Sequence, residues 1–237
     1  MGIDADGAVV AAYAEQMLPL ATASLGEEYR YQSLPLCVID AVFSISIKYT
    51  IVQGVVARYC GYTGQQRVRA SQLLPPPAEQ EAISAFCDRP EQADPATMAA
   101  RVYGSRNRTS PQNGILKAEA TARFAQCLRA HGVEYLQDVS RVAESAQLEA
   151  DIRTIPGQQS GLSLQYFWML AGSEQFVKPD RMVLRFLSAA LAREVSVAEA
   201  LPLLTAACGR LAARYPSLTP RLLDHEVWKH QRAATTT

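Results

Sequence analysis

Apolar residues recur at helical spacing in the segment Ile115–His131. Every fourth residue on one face is apolar, namely Leu116, Ala120, Phe124 and Leu128. Residues four apart share one side of an α-helix, so this spacing predicts an amphipathic helix, which Gly132 ends. Ala8–Ala23 is also predicted to be helical, because its apolar positions fit a helix better than a strand, and Pro19 would end or kink it.

The segment Leu36–Tyr59 is apolar almost throughout, and periodicity alone does not separate buried strand from buried helix in such a run. Its β-branched content favours a strand. Its length, and the lack of turn residues before Gly54, favour helices. We therefore predict two helices that meet near Ser44–Tyr49.

The rest of the chain predicts short helices separated by polar or proline-rich loops. Gly104–Gly114 is a basic, turn-rich loop, and Ser196 is an expected helix cap. The Ala-Ala-Thr-Thr-Thr tail is expected to be disordered. With about ten helices and no hairpin signal of strands, the predicted fold class is all-α. The remaining helices are expected at Ala78–Asp88, Pro95–Tyr103, Val133–Val142, Ala146–Ile152, Met182–Arg193, Val197–Tyr215 and Thr219–Gln231.

Composition places the chain among globular proteins. It has 237 residues, 49% of them apolar, which is enough for one large domain or two small lobes. The formal net charge is zero, so any nucleic-acid binding must come from a local basic patch. No apolar run is long enough to span a membrane and no leader pattern begins the chain, so we expect a cytoplasmic protein.

The five cysteines are widely scattered and form no CxxC pair. This pattern argues against a disulfide framework, a zinc site and an iron–sulfur cluster, and predicts buried free thiols. The three histidines show no ligand spacing, so we expect ordinary surface or helix-end histidines and no metal ligands.

The stretch Thr154–Leu187 combines two kinds of chemistry. Gly157 and Gly161 can point backbone N–H groups at an anion, beside the start of an apolar helix. Further on, Asp180 offers a carboxylate at the start of another helix. Either feature has a simpler explanation, because Asp180 is also a good N-cap and the glycines also suit an ordinary turn.

Ile155-Pro156-Gly157, the later Gly161 and the KPDRMVLRFL segment together resemble the helix-hairpin-helix (HhH-GPD) DNA glycosylases. That family has an L-P-G-x-G hairpin, then a helix, then an aspartate before an apolar helix. Asp180 lies eighteen residues beyond Leu162, as the resemblance requires. The chain departs from the pattern in one respect, since Gln158-Gln159-Ser160 separates the two glycines where the family usually has one residue.

The resemblance implies two helical lobes with a cleft between them. Residues 36–163 would form a barrel lobe ending in the hairpin, and residues 1–35 plus 164–237 would form the second lobe carrying Asp180. It implies a monomeric protein that binds double-stranded DNA without a cofactor or metal, although the hairpin could hold a monovalent cation. The implied DNA-backbone contacts are Gly157, Gln158, Gln159, Ser160, Gly161 and Ser163.

The reaction implied is hydrolysis of the bond between a base and deoxyribose after the base has left the stack. Asp180 would be catalytic, stabilising positive charge on the sugar and activating water. Lyase members carry a lysine on the helix after the hairpin, where this chain has Leu162-Ser163-Leu164. We therefore expect a monofunctional enzyme that leaves an abasic site. Its substrate is either a damaged or mismatched base, in repair, or a modified base of phage DNA, in antiviral defence.

The base pocket or wedge is expected near two loops. Its candidates are Asp40, Ser46, Ile47, Lys48, Tyr49 and Asn107. For Lys48 and Tyr49 a snorkelling lysine and a half-buried tyrosine are alternatives, and for Asp40 the favoured alternative is pairing with an arginine. Arg106, Asn107 and Arg108 could contact phosphate or base, or be solvated. Two other hypotheses remain for the whole chain: a non-catalytic DNA-binding protein, and a helical scaffold without a DNA role.

Overall fold

A computed structural model describes residues 2–70, 73–143, 145–172 and 176–234. These residues form α-helices and contain no β-strand, so the prediction of an all-α fold is confirmed at that level. The helices are α1 (Ile3–Met17), α2 (Leu34–Phe43), α3 (Tyr49–Thr63), α4 (Ile83–Cys87), α5 (Pro95–Thr97), α6 (Lys117–Ala130), α7 (Val139–Val142), α8 (Ala146–Arg153), α9 (Leu162–Leu170), α10 (Arg181–Leu191), α11 (Val197–Leu211) and α12 (Pro220–Ala234).

Several short segments have tighter or wider helical turns. A π-helical turn, Met98–Val102, continues directly from α5. Short 3₁₀ turns occupy Leu20–Thr22, Glu27–Arg30, Pro77–Glu79, Pro90–Ala93 and Leu136–Asp138. The helix expected over Ala78–Asp88 is limited to α4, because Gln80 and Ala82 have extended backbone after the Pro77–Glu79 turn. Most of the helix expected over Val133–Val142 is a 3₁₀ turn followed by α7.

The chain divides into two compact units. The central unit is Glu27–Gly172, and the terminal unit combines Met1–Gly26 with Ser173–Thr237. The central unit begins earlier than the expected limit of residue 36, because Gln32 N–H donates to Arg67 O at 3.1 Å and joins this segment to the loop after α3. It also includes α9, which the sequence assigned to the other lobe.

Helix α2 is the centre of the central unit. All ten of its residues are buried, so its apolar sequence is in contact with protein on every face. It packs against α3, α4, α6 and α9. The prediction of two helices within Leu36–Tyr59 is confirmed, with the break at residues 44–48. Helix α9 belongs to this core because Phe167 is fully buried and lies against Phe124 of α6, with ring centroids 5.3 Å apart.

The terminal unit is built on the pairing of α1 with α11, and α10 and α12 complete it. The two paired helices approach closely at Gly7, where a Cβ would lie only 2.5 Å from Ala206 Cβ. Helix α1 begins earlier than expected and ends before Pro19. The predicted cap at Ser196 is confirmed as a capping box with Glu199. In the predicted tail, Ala233 and Ala234 belong to α12, and residues 235–237 lie outside the described residues.

All five cysteines are free thiols, which confirms the expectation of unpaired cysteines. Cys37, Cys60 and Cys208 are buried, while Cys87 and Cys127 are partly exposed. Burial raises the pKa of Cys208 to about 12, so its thiol is neutral at physiological pH.

Candidate functional site

The glycine-containing turn connects α8 to α9 by two successive backbone turns. Gln158 N–H donates to Ile155 O at 2.9 Å, and Gly161 N–H donates to Gln158 O at 3.0 Å. Both glycines have the left-handed backbone that favours glycine, with φ of 88° at Gly157 and 75° at Gly161. Gly161 is also the N-cap of α9. This hairpin, residues Ile155–Gly161, joins one helix, α8, to the next, α9.

The hairpin's glycine amides are engaged within the turn, contrary to the expectation that both are exposed to an anion. Gly157 N–H donates to Gln159 Oε1 at 2.9 Å, and Gly161 N–H donates to a backbone carbonyl. The three residues between the glycines supply both acceptors, so the wider turn satisfies its own donors. An anion at Gly157 would have to replace the exposed Gln159 side chain.

The predicted backbone-contact residues separate into buried and exposed members. Gln158 and Ser163 are buried, with relative exposures of 2% and 1%, and the Ser163 hydroxyl donates to Gln158 Oε1. Their side chains support the turn and are not presented to solvent. Gln159 and Ser160 are exposed, so they are the members of the predicted set whose side chains can reach a ligand.

Asp180 is the N-cap of α10 in the terminal unit. Its Oδ1 accepts from Met182 N at 2.8 Å and from Val183 N at 3.2 Å. Oδ2 accepts no hydrogen bond from the described residues, and the residue is only partly buried. Asp180 therefore caps α10 through Oδ1, and its Oδ2 has no hydrogen bond among the described residues.

Asp224, on α12, is a second carboxyl group close to Asp180 that the sequence reading missed. Its Oδ2 accepts from Lys178 N at 2.9 Å, and Lys178 O accepts from Asp180 N at 2.6 Å, so Asp224 anchors the turn before the cap. Burial raises the pKa of Asp224 well above its ordinary value, and the negative charge of Asp180 raises it further. The neutral, protonated form of Asp224 is thus favoured beside Asp180.

Helix α12 buries an unusual number of polar side chains: Arg221, Asp224, His225, Glu226 and Gln231. His225, expected at the surface, is 5% exposed, and burial lowers its pKa to about 4. Glu226 Oε1 accepts from Ser24 N at 3.2 Å and from Lys229 Nζ at 2.9 Å. The sequence analysis predicts a helix here, but nothing in the sequence indicates that its polar side chains are buried.

The first predicted pocket segment, residues 44–49, links α2 to α3 in the central unit. Ser46 and Lys48 are exposed, Ile47 and Tyr49 are partly buried, and Ser46 has a left-handed φ of 59°. Tyr49 OH donates to Asp40 Oδ2 at 3.1 Å, and Tyr31 OH donates to the same oxygen at 2.8 Å. Asp40 is thus held by tyrosine hydroxyls in the core of the central unit, where the sequence favoured an arginine.

The Lys117 side chain holds this segment in place. The sequence predicts Lys117 only as a residue of an amphipathic helix. Its ammonium group is buried, with the side chain 2% exposed overall. Nζ donates to Val42 O at 2.9 Å, Phe43 O at 3.0 Å and Ile45 O at 2.6 Å. A cation at the carboxyl end of α2 satisfies carbonyls that a helix leaves unbonded and complements its dipole.

Asn107, the remaining pocket candidate, lies in the second loop. Its carbonyl accepts from Lys117 N at 2.8 Å, so Lys117 connects the two predicted pocket segments within the central unit. Two polar clusters thus border the 44–49 segment: the tyrosine hydroxyls on Asp40, and the backbone carbonyls on Lys117.

A family model described as "Domain of unknown function (DUF8548)" matches residues 8–232. The chain belongs to the DUF8548 family. The match includes every candidate site residue described above, from Asp40 to Asp224. No curated protein and no solved structure matches the chain. In the part of this DUF8548 chain that the structure describes, no helix is long and apolar enough to cross a membrane.

Proposed function

We propose that this protein is a monofunctional DNA glycosylase of the helix-hairpin-helix type. The observation that carries the proposal is the arrangement at Asp180, a partly exposed carboxylate whose Oδ1 caps the helix and whose Oδ2 accepts no hydrogen bond from the described part of the chain. Its spacing from a hairpin with two left-handed glycines supports the same assignment. The two-lobed glycosylase fold is part of this proposal.

In the proposed reaction Asp180 acts on the sugar and on water. As the bond between C1′ and the base nitrogen breaks, the electron pair leaves with the base and positive charge develops on the deoxyribose. A carboxylate oxygen near the sugar stabilises that charge. Water attacks C1′ and gives one proton to the carboxylate. That proton passes through solvent to the departing base, which restores the carboxylate and leaves an abasic site with the strand intact.

The helix after the hairpin supports hydrolysis over lyase chemistry. Helix α9 has the sequence LSLQYFWML and offers no amine for a Schiff base with the sugar. Water is therefore the proposed nucleophile. The substrate is a flipped base in duplex DNA, either damaged or mismatched, or a modified base of phage DNA that the protein would remove in defence.

Asp180→Asn tests the proposal with the cap preserved. Asparagine caps a helix about as well as aspartate, so α10 should remain while the charge is lost. Base release from a panel of damaged, hydroxymethylated and phage-modified duplexes should fall by roughly 100-fold or more, with DNA affinity retained. The measurement is mass spectrometry of released bases, combined with strand cleavage at abasic sites by alkali.

The matched control is Asp94→Asn. Asp94 caps α5 in the same way, accepting from Ala96 N and Thr97 N, but belongs to the central unit. This variant should release bases at the wild-type rate. Equal activity in Asp180→Asn would reject a catalytic role for Asp180.

A non-catalytic DNA-binding protein is the second candidate, and the N-cap geometry of Asp180 favours it. On this hypothesis the carboxylate only begins α10, and the wild-type protein would bind duplex DNA without releasing a base from any member of the panel. Binding that weakens steeply with salt would still indicate phosphate contacts.

A further inference from the structure

The loop before α6, residues 104–116, is folded back on itself as a short ribbon. Thr109 N–H donates to Ile115 O at 2.9 Å, and Lys117 N–H donates to Asn107 O at 2.8 Å. Arg108 and Leu116 form the isolated bridge between these two bonds. The ribbon therefore has a defined conformation even though the sequence predicts only a polar loop.

An open cavity of about 360 Å³ lies beside this ribbon. Its lining residues are Ala96 and Ala99, from the α5 and π-helical segment, and Arg106, Arg108 and Leu116, from the ribbon. The volume is within the range of small-molecule sites. The two arginines are the charged side chains among these five residues, so the lining presents positive charge and no carboxylate.

The guanidinium groups are available to a ligand to different degrees. Arg106 is exposed and makes no side-chain hydrogen bond or ion pair with the described residues. Arg108 Nη1 donates to Gly114 O at 2.7 Å, and this bond holds the side chain in place. The other N–H groups of Arg108 are left to bind a ligand. A planar guanidinium matches the paired oxygens of a phosphate, and a fixed one loses little entropy on binding.

A third arginine lies where the ribbon begins. Arg58 Nε donates to Tyr103 O at 2.6 Å, and the side chain crosses Gly104, where an added Cβ would lie 2.7 Å from Nε. Gly104 has a left-handed φ of 56°. The start of the ribbon is thus formed around this cation, which adds to the positive field of Arg106 and Arg108.

The ribbon is also in direct contact with the hairpin. A Cβ placed at Gly157 would lie 2.3 Å from Thr109 Cβ, so the hairpin backbone packs directly against the Thr109 side chain. The exposed Gln159 and Ser160 of the hairpin and the arginines of the ribbon therefore belong to two segments that touch within the same unit.

We propose that the cavity lined by Arg106 and Arg108 binds a phosphate group, in a DNA strand that also contacts the hairpin. The inference rests on the proposed DNA function for the identity of the ligand. The cavity's chemistry alone would also suit the phosphate of a free nucleotide. In either case Arg106 and Arg108 are the side chains that contact the phosphate.

The test is the salt dependence of duplex binding by the full chain with Arg106→Ala. Loss of one phosphate contact should weaken binding roughly tenfold at low salt. It should also reduce the slope of log affinity against log salt by about 0.9. Anisotropy of a labelled duplex, between about 50 and 200 mM salt, measures both quantities.

Arg129→Ala is the matched control. Arg129 is exposed and pairs with Asp88 at 2.7 Å near the other end of α6, about 18 Å along the helix from Lys117. This variant should keep the wild-type affinity and slope. If Arg106→Ala and Arg129→Ala behave alike on a duplex that the wild type binds, the cavity is not a phosphate site.

A separate measurement distinguishes failure of the DNA function from failure of the cavity. If the wild type does not bind duplex DNA, the DNA function is rejected, and a deoxynucleoside monophosphate becomes the probe in a titration followed by amide NMR. Shifts of ribbon amides in the wild type that are lost in Arg106→Ala support a free-phosphate site. Absence of shifts in the wild type overturns the inference.

Discussion

Gly157 shows most directly how one residue determines the hairpin. Its φ of 88° is unfavourable for other residues, and an added Cβ would lie 2.3 Å from Thr109 Cβ. Thr109 Cβ is bonded directly to the backbone, so no change of side-chain rotamer can move it away from Gly157. Glycine is therefore required here for two reasons: its backbone has a positive φ, and the ribbon packs too closely to leave room for a Cβ.

We therefore expect Gly157→Ala to lower the free energy of unfolding by roughly 2–4 kcal/mol. Denaturant unfolding, with circular dichroism as the probe, measures this change. Gly61→Ala is the control, because Gly61 lies in α3 with nothing within 4 Å of its Cβ position. Alanine there should stabilise by about 0.5–1 kcal/mol. A Gly157→Ala protein as stable as wild type would contradict the packing of the hairpin on the ribbon.

At the level of elements, α2 and α6 are joined by a single buried cation. Lys117 begins α6 and gives hydrogen bonds to three carbonyls at the carboxyl end of α2. The same residue's backbone N–H binds Asn107 O in the ribbon. One residue thus sets the positions of the 44–49 segment and of the ribbon, both of which the sequence proposed as pocket segments.

Lys117→Met should lower the free energy of unfolding by roughly 2–3 kcal/mol, because it removes the ammonium group and leaves buried carbonyls without that donor. Hydrogen exchange should quicken first at residues 44–48 if the loss is local. Lys48→Met makes the same change at an exposed position and should alter stability by less than about 0.5 kcal/mol. Unchanged exchange in the 44–48 segment would contradict the anchoring role.

The same elements show what sequence can and cannot predict. The length of the apolar run Leu36–Tyr59 and its lack of turn residues before Gly54 favoured two helices over a strand, and the break lies where it was predicted, before Tyr49. Lys117 was not, because a lysine at the first position of an amphipathic helix is normally solvated, and its burial depends on where the end of α2 lies in three dimensions. The limits of the two units depend in the same way on contacts such as Gln32 with Arg67.

For the candidate site, the position of Asp180 at the start of α10 followed from its sequence neighbours, since capping is a local property. The engaged amides of the hairpin did not, because they depend on how Gln158 and Gln159 fold back within the turn. Asp224 lies 44 residues along the chain from Asp180. Local patterns carry no information about such a pair.

On the scale of the whole molecule, burial in the terminal unit disfavours the charged forms of two groups on α12. It lowers the pKa of His225 to about 4 and raises that of Asp224 well above its ordinary value, so the neutral form of each is favoured. Neutral forms minimise the cost of burying these groups in α12. The stability of the molecule should consequently respond to pH through this helix.

Asp224→Asn tests this response. Because the folded-state pKa of Asp224 is raised above the unfolded value near 3.8, its favourable contribution is complete below that value and is lost as pH rises through the folded-state pKa. Asparagine stays neutral, and its Oδ1 can still accept from Lys178 N. The variant should match wild type at the acid end and become the more stable of the two as pH rises, in denaturant unfolding followed from acid to neutral pH.

Glu199→Gln, in the same unit, should show the opposite trend. Hydrogen bonds from Ser196 and Arg193 lower the pKa of Glu199 to about 2, and the charged form therefore stabilises the fold above pH 4.5. If Asp224→Asn were instead less stable than wild type at neutral pH, Asp224 would have to be ionised in the folded protein, and the neutral partner assigned to Asp180 would be wrong.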